Sequence, residues 1–190
     1  MVEVLAARDA DDVAEIVAWA AAGKVALELR GGGSKMHWGR PSVATHRLDL
    51  GAVKGVVTYE PEELVLTARP GTALGDIEKL LTQRGQELAF EPGDWRPWLG
   101  AEGGAEGGTL GGAIACNLSG PRRLRAGAAR DHFLGCRGVS GRGEAFKAGG
   151  RVVKNVTGYD VCKLLAGSHG TLAALTEITV KVMPSGEKTR

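Results

Sequence analysis

Apolar positions recur at helical spacing in the first twenty residues, with strand-like runs on either side. Val2 to Leu5 reads as a short edge strand. Asp9 or Asp11 then caps a helix whose Val13, Ile16, Val17 and Ala20 share one face, and Gly23 ends it. Val25 to Leu29 is apolar enough for a buried strand and runs straight into Arg30-Gly31-Gly32-Gly33-Ser34. The first unit is therefore expected to be β–α–β, with a glycine loop at the carboxyl end of its second strand.

The pattern then turns to strands and turns. Arg47–Leu50 and Val53–Tyr59 read as strands, Glu60-Pro61-Glu62-Glu63 as a turn, and Leu64–Arg69 as the returning arm of a hairpin. Thr72 is the expected N-cap of an amphipathic helix carrying Leu74, Ile77, Leu80 and Leu81, stopped by Gly85. Gln86–Phe90 is a short strand. Phe133–Val139 and Glu144–Lys147 form a second hairpin around Ser140-Gly141-Arg142-Gly143. Val161, Leu164 and Leu165 mark a short helix, and Leu175–Met183 alternates as a closing strand that Pro184 stops.

Between the hairpins lies a run of glycines from Gly100 to Gly112, ending in Thr109-Leu110-Gly111-Gly112-Ala113-Ile114-Ala115. A flexible linker is one reading of such a run. The other is a loop that ends in a Thr109 N-cap and a short helix of small residues, able to press against a ligand or a backbone. Glycine allows backbone N–H groups to approach a ligand with no Cβ in the way, and consecutive N–H groups aimed at one point form an anion nest. Two nests far apart in sequence could converge on one long ligand that carries phosphates. Neither is a Rossmann or Walker fingerprint: the first cluster follows the second strand with no helix after it, and no G-x-x-x-x-G-K-[ST] is present.

Composition adds limits. The 30 glycines sit in loops without a period, and a net charge of +2 gives no global signal for nucleic acid or a membrane surface. The one basic run is Arg122-Arg123-Leu124-Arg125 with Arg130. It reads as a loop folding over an anionic ligand, as a solvated loop, or as a nucleic-acid patch, and the last is weakened by the lack of interleaved aromatics. Cys116, Cys136 and Cys162 form no CxxC and read as small apolar residues. Their odd number and the lack of a signal peptide point to the cytoplasm. No apolar run reaches the about 18 residues of a transmembrane helix.

The ordered series Arg-Gly-Gly-Gly-Ser, Gly-Gly-Thr-Leu-Gly-Gly with Asn117, Gly127 with Arg130-Asp131 and Leu134-Gly135, Lys154-Asn155 with Gly158-Tyr159-Asp160, and Gly167-Ser168 with Gly170-Thr171-Leu172 resembles the FAD-binding domain of the vanillyl-alcohol oxidase/p-cresol methylhydroxylase flavoprotein family. The likeness covers about residues 5–184. Within that family it is most similar to the FAD-binding subunits of glycolate oxidases, relatives of FAD-linked D-2-hydroxyacid dehydrogenases.

The resemblance implies an α+β, two-subdomain FAD-binding fold of the p-cresol methylhydroxylase type without the cap domain. Its subdomains would be residues 1 to about 50 and about 51 to 184, with 185–190 as a tail. It implies non-covalent FAD, because Ser34 stands where some members link the flavin to a histidine. Gly31, Gly32, Gly33, Ser34 and Lys35 would hold the pyrophosphate, and Gly108, Thr109, Gly111, Gly112 and Asn117 would line the other side. Pro92, Asp131 and the backbone near Ile178 would complete the site. His37 is expected to be a loop residue, and no role follows for His46, His132 or His169. The implied function is the FAD-binding part of a glycolate or 2-hydroxyacid oxidoreductase, with a small hydroxy acid as substrate, the other subunits of a hetero-oligomeric complex as partners and no nucleic acid. The alternative is a non-catalytic flavin-carrying module beside a catalytic subunit. Any membrane contact would come through those partners.

Overall fold

The computed structural model describes residues 2–36, 38, 40, 42–99, 107–150 and 158–186. His37, Gly100–Glu106 of the central glycine run, Lys154–Thr157 and the last residues of the tail lie outside the described residues.

The N-terminal unit is β1 (Glu3–Ala6), α1 (Ala10–Ala22), β2 (Leu27–Arg30) and β3 (His46–Asp49). The strands form a parallel sheet in the order β1-β3-β2. Asp9 is the cap of α1: its Oδ1 accepts from the amides of Asp11 and Asp12 at 3.0 and 2.9 Å, filling donors that the first turn leaves unpaired. Val13, Val17 and Ala20 form the buried face of α1, and Leu48 in the middle strand is fully buried.

The larger unit contains β4 (Val56–Glu60), β5 (Val65–Ala68), α2 (Leu74–Thr82), β6 (Gln86–Glu87), α3 (Arg96–Leu99), α4 (Leu110–Ala115), α5 (Arg123–Ala126), α6 (Ala129–His132), β7 (Phe133–Ser140), β8 (Ala145–Gly149), α7 (Val161–Leu165), β9 (Ala173–Lys181) and β10 (Met183–Pro184). Five of its strands make an antiparallel sheet in the order β4-β5-β9-β7-β8. Every residue of β5 is buried, as expected of a strand covered on both faces.

Three local expectations change. Thr72 does not cap α2. Its hydroxyl donates to the Arg69 carbonyl at 2.7 Å and accepts from the Gly55 amide at 2.9 Å, so it ties a loop and leaves Ala73 as a cap without a side-chain bond. The strand expected over Gln86–Phe90 shrinks to β6, because Leu88, Ala89 and Phe90 turn into the core. Pro184 does not end the chain's pairing: it lies in β10, an edge strand antiparallel to β6, where a missing N–H is tolerated.

The main core joins α2, α4 and the five-stranded sheet through Leu74, Ile77, Leu81, Leu110, Ile114, Phe133 and Ile178. A second core gathers Val13, Val17 and Leu48 with Val139 of β7 and Ala174 of β9, so α1 packs onto the larger sheet. The turn between β7 and β8 locks against α1, since a β-carbon on Gly143 would stand 2.8 Å from the Ala18 Cα. This seam fixes the carboxyl end of β2 relative to α4.

Candidate functional site: a cleft between two glycine loops

A cleft of about 350 Å³ opens where the loop after β2 meets the start of α4. Gly31, Gly32, Gly33, Ser34 and Lys35 line one wall, and Thr109, Gly111 and Gly112 line the other. The two walls touch. A β-carbon on Gly31 would lie 2.7 Å from Thr109 Oγ1, which no real contact allows. Gly108 stands just behind Lys35 with φ +88°, and a β-carbon there would lie 3.2 Å from Lys35 Nζ and 3.3 Å from Ser34 Oγ.

The walls contribute different chemistry. Thr109 caps α4 by accepting from the Gly112 amide at 3.2 Å. The Leu110 and Gly111 amides donate to the Thr72 and Pro70 carbonyls, both at 2.9 Å, and Ala113 donates to Thr109. The first-turn donors of α4 are thus spent inside the protein, contrary to the expectation of two anion nests. What Gly111 and Gly112 supply is close approach: a β-carbon on Gly111 would meet the Pro70 carbonyl oxygen at 2.9 Å. On the other wall, the amides of Gly31, Gly32, Gly33, Ser34 and Lys35 donate to no acceptor among the described residues. Unspent donors are thus found on the first wall and not on the second.

Lys35 bridges the walls. Its Nζ donates to Ser34 Oγ at 2.8 Å, and a β-carbon on Gly112 would stand 3.4 Å from Nζ. Burial pushes the Lys35 ammonium below its ordinary value, with Cys116 and Asp94 partly opposing. Cys116 also faces the cleft, and burial raises its thiol against the pull of Lys35.

Residues that the sequence did not assign complete the site. Arg30, Ala115 and Cys116 line it, as do Ser168, His169, Gly170 and Thr171 from the loop after α7. Cys116 Sγ lies 3.6 Å from His169 Nδ1, whereas Cys136 and Cys162 are buried in the main core, where Cys162 Sγ donates to the Ala148 carbonyl at 3.8 Å. Trp38 lines the cleft, stacks on Trp95 with centroids 5.4 Å apart, and meets His169 edge-on at 5.6 Å.

Besides Gly108, four expected site residues do not line the cleft. Asn117 adopts φ +49° at the end of α4, and its Oδ1 accepts from the Arg130 amide at 2.9 Å. Asp131 accepts from the Ala128 amide at 2.8 Å and caps α6. Ile178 is fully buried in β9, paired with Ala68 and Cys136. Pro92 borders a separate groove beside Glu87, Glu91 and Arg122. The basic run does not fold over the cleft either: Arg122 pairs with Glu87 at 2.7 Å and Arg130 Nε donates to the Lys163 carbonyl at 3.0 Å. Of the histidines without an assigned role, His132 is buried with Nε2 2.8 Å from the Ala126 carbonyl, and His46 Nε2 stands 3.4 Å from Glu3.

Comparison with known proteins agrees with this architecture. The family model described as an FAD binding domain matches residues 3–149. Glycolate oxidase subunit GlcE of Escherichia coli (strain K12) is 45% identical over 164 residues, covering 85% of this chain and 43% of the relative. Glycolate oxidase subunit GlcD of Bacillus subtilis (strain 168) is 30% identical over 185 residues, covering 97% and 37%. The solved structure of alkyldihydroxyacetonephosphate synthase superposes with a TM-score of 0.76 at 23% identity, over 95% of this chain and 31% of that one. The chain spans less than half the length of these relatives. The family match over residues 3–149 shows that this chain belongs to the FAD-binding domain family.

Proposed function

We propose that this chain is the FAD-binding part of an oxidoreductase acting on glycolate or a related small 2-hydroxy acid, and that it works with partner subunits in the cytoplasm. The observation that carries the reading is the loop Gly31–Lys35, whose consecutive amides have no acceptor among the described residues and which lines a cleft shared with Thr109, Gly111 and Gly112. A diphosphate needs such donors, a nearby cation and room for its oxygens. Lys35 supplies the cation, and the glycines of both walls supply the room. The residues present therefore fit FAD.

In this reading Gly31, Gly32, Gly33, Ser34 and Lys35 hold the diphosphate, Thr109, Gly111 and Gly112 form the opposite wall, and Gly108 leaves room for Lys35 and Ser34 from behind. FAD, when bound, supplies two-electron oxidation of an alcohol to a carbonyl. The chain's own part is to bind, orient and shield. Ser34 is buried and hydrogen-bonded to Lys35, so the first loop offers no imidazole at that position for a covalent link. The substrate class and the partner subunits come from the likeness to the glycolate oxidase subunits. The cytoplasm is supported by three free cysteines; among the described residues no helix is long and apolar enough to cross a membrane.

The test is the absorption spectrum of the purified protein, followed by acid precipitation. Flavin bands that move wholly to the supernatant, with released FAD identified by mass, are expected. A colourless protein that also ignores added FAD overturns the proposal.

A further inference from the structure

We infer that Arg30 is a specificity-determining residue of the cleft: its guanidinium is the partner of a phosphate oxygen on the ligand, so it selects phosphorylated flavins over riboflavin. The inference rests on the reading of the cleft as the FAD site. Arg30 closes β2, and its backbone is fixed there, since its carbonyl accepts from the Leu50 amide at 2.7 Å. Its side chain lines the cleft and lies over the nest: a β-carbon on Gly33 would stand 2.8 Å from Arg30 Nε and 2.9 Å from Nη2.

Arg30 Nε is buried and has no hydrogen-bond partner, alone in this among the buried side-chain polar atoms of the described residues. A buried charged donor left unpaired is costly, and the fold had carboxylates at hand. Glu28, two residues back on the same strand, is held by Arg47 at 2.6 Å. Asp49, the cross-strand neighbour of Arg30, accepts from the Gly51 amide at 2.8 Å. Both nearby acids are engaged elsewhere, so the free donor serves an anion from outside the chain. Lys35 differs because its Nζ already has Ser34 Oγ. The two cations flank the free amides, Arg30 over Gly33 and Lys35 beside Gly108 and Gly112. That arrangement suits a group with two negative charges.

The experiment measures binding of FAD, riboflavin and inorganic diphosphate by calorimetry to the wild-type protein, Arg30→Met and Arg30→Lys. A charge-assisted hydrogen bond sets the expected size: Arg30→Met weakens FAD and diphosphate by about ten- to a hundred-fold. Arg30→Lys recovers part of the loss, because it keeps the charge without the guanidinium fork. Riboflavin, which has no phosphate, binds all three proteins equally. Nε has no partner among the described residues and its burial is a cost to the FAD-free protein, so without ligand Arg30→Met should melt no lower than the wild-type protein. Unchanged FAD affinity in Arg30→Met overturns the inference, and so does an equal loss of FAD and riboflavin. If the wild-type protein binds diphosphate but not FAD, the cofactor reading fails, and the diphosphate ratio alone decides the role of Arg30.

Discussion

Gly31 is the residue on which the two walls of the cleft depend. A methyl group there would sit 2.7 Å from Thr109 Oγ1. That hydroxyl cannot swing away freely, because Thr109 is buried and its oxygen caps α4. Gly31→Ala should therefore part the walls, costing about 1–3 kcal/mol of stability and most of the retained flavin. A normal melt with a normal flavin-to-protein absorbance ratio would place the contact elsewhere. Lys35 shows the opposite trade. Its folded-state pKa is lowered by burial, so between that value and the ordinary lysine value the unfolded chain binds more protons. Stability of the FAD-free protein should thus rise with pH across that alkaline window. Lys35→Met should abolish the rise and stabilise the FAD-free protein by about 0.5–1 kcal/mol while weakening FAD. Equal pH slopes for the two proteins would remove Lys35 from the account. At this scale the sequence was partly readable. Arg-Gly-Gly-Gly-Ser announces a nest by composition alone. The meeting of Cys116 with His169 spans 53 positions, and no local pattern marks it. Asn117 and Asp131 do not line the cleft, because both are helix-end residues whose oxygens bind amides of the fold itself.

Helix ends show why elements were easier to find than their caps. Thr72 and Thr109 each precede a Leu-containing helical run, and sequence treats them alike. Only Thr109 caps, because the Pro70-Gly71 turn brings Gly55 and the Arg69 carbonyl to the other hydroxyl first. Asp9 on α1 provides a clean comparison, since it caps a helix that the cleft does not use. Asp9→Ala should cost about 1 kcal/mol in chemical denaturation and leave FAD affinity unchanged. A matching loss of affinity would show that α1 senses the site. The same helix carries an acid-labile contact. Asp12 accepts from Arg8 Nε at 2.7 Å, and the Arg8 hydrogen bonds pull its carboxyl down to about 2. The folded-state pKa is depressed, so the contribution is complete above the ordinary aspartate value and is lost as pH falls toward 2. Asp12→Asn should flatten the acid limb of the stability curve only in that window.

Taken whole, the parallel sheet and the five-stranded antiparallel sheet are joined by a seam, and the cleft needs both. β2 brings the nest from one sheet, while α4 and the loop after α7 bring the opposite wall from the other. Their relative position rests on Val13, Val17 and Leu48 packing with Val139 and Ala174. Leu48→Ala in that seam should cost about 2–5 kcal/mol. The helical spacing of Val13 and Val17 was legible, whereas β9 buries three residues in a row and does not alternate as its sequence suggests. Nor was it legible that α1 would face β7 and β9, because partner choice between two apolar faces is decided in three dimensions. If the seam couples the units, a ligand held by both walls must stabilise both. At a free FAD concentration of 100 times the dissociation constant, the opening free energy should rise by about 2.7 kcal/mol. Hydrogen exchange can read this separately for the Leu29 and Leu48 amides of the parallel sheet and the Val139 and Ile178 amides of the antiparallel one. The same increment is expected at all four positions. An increment confined to Val139 and Ile178 would mean that the nest-bearing unit opens by itself while FAD stays on the other wall, and the cleft would then be a contact of two independent bodies.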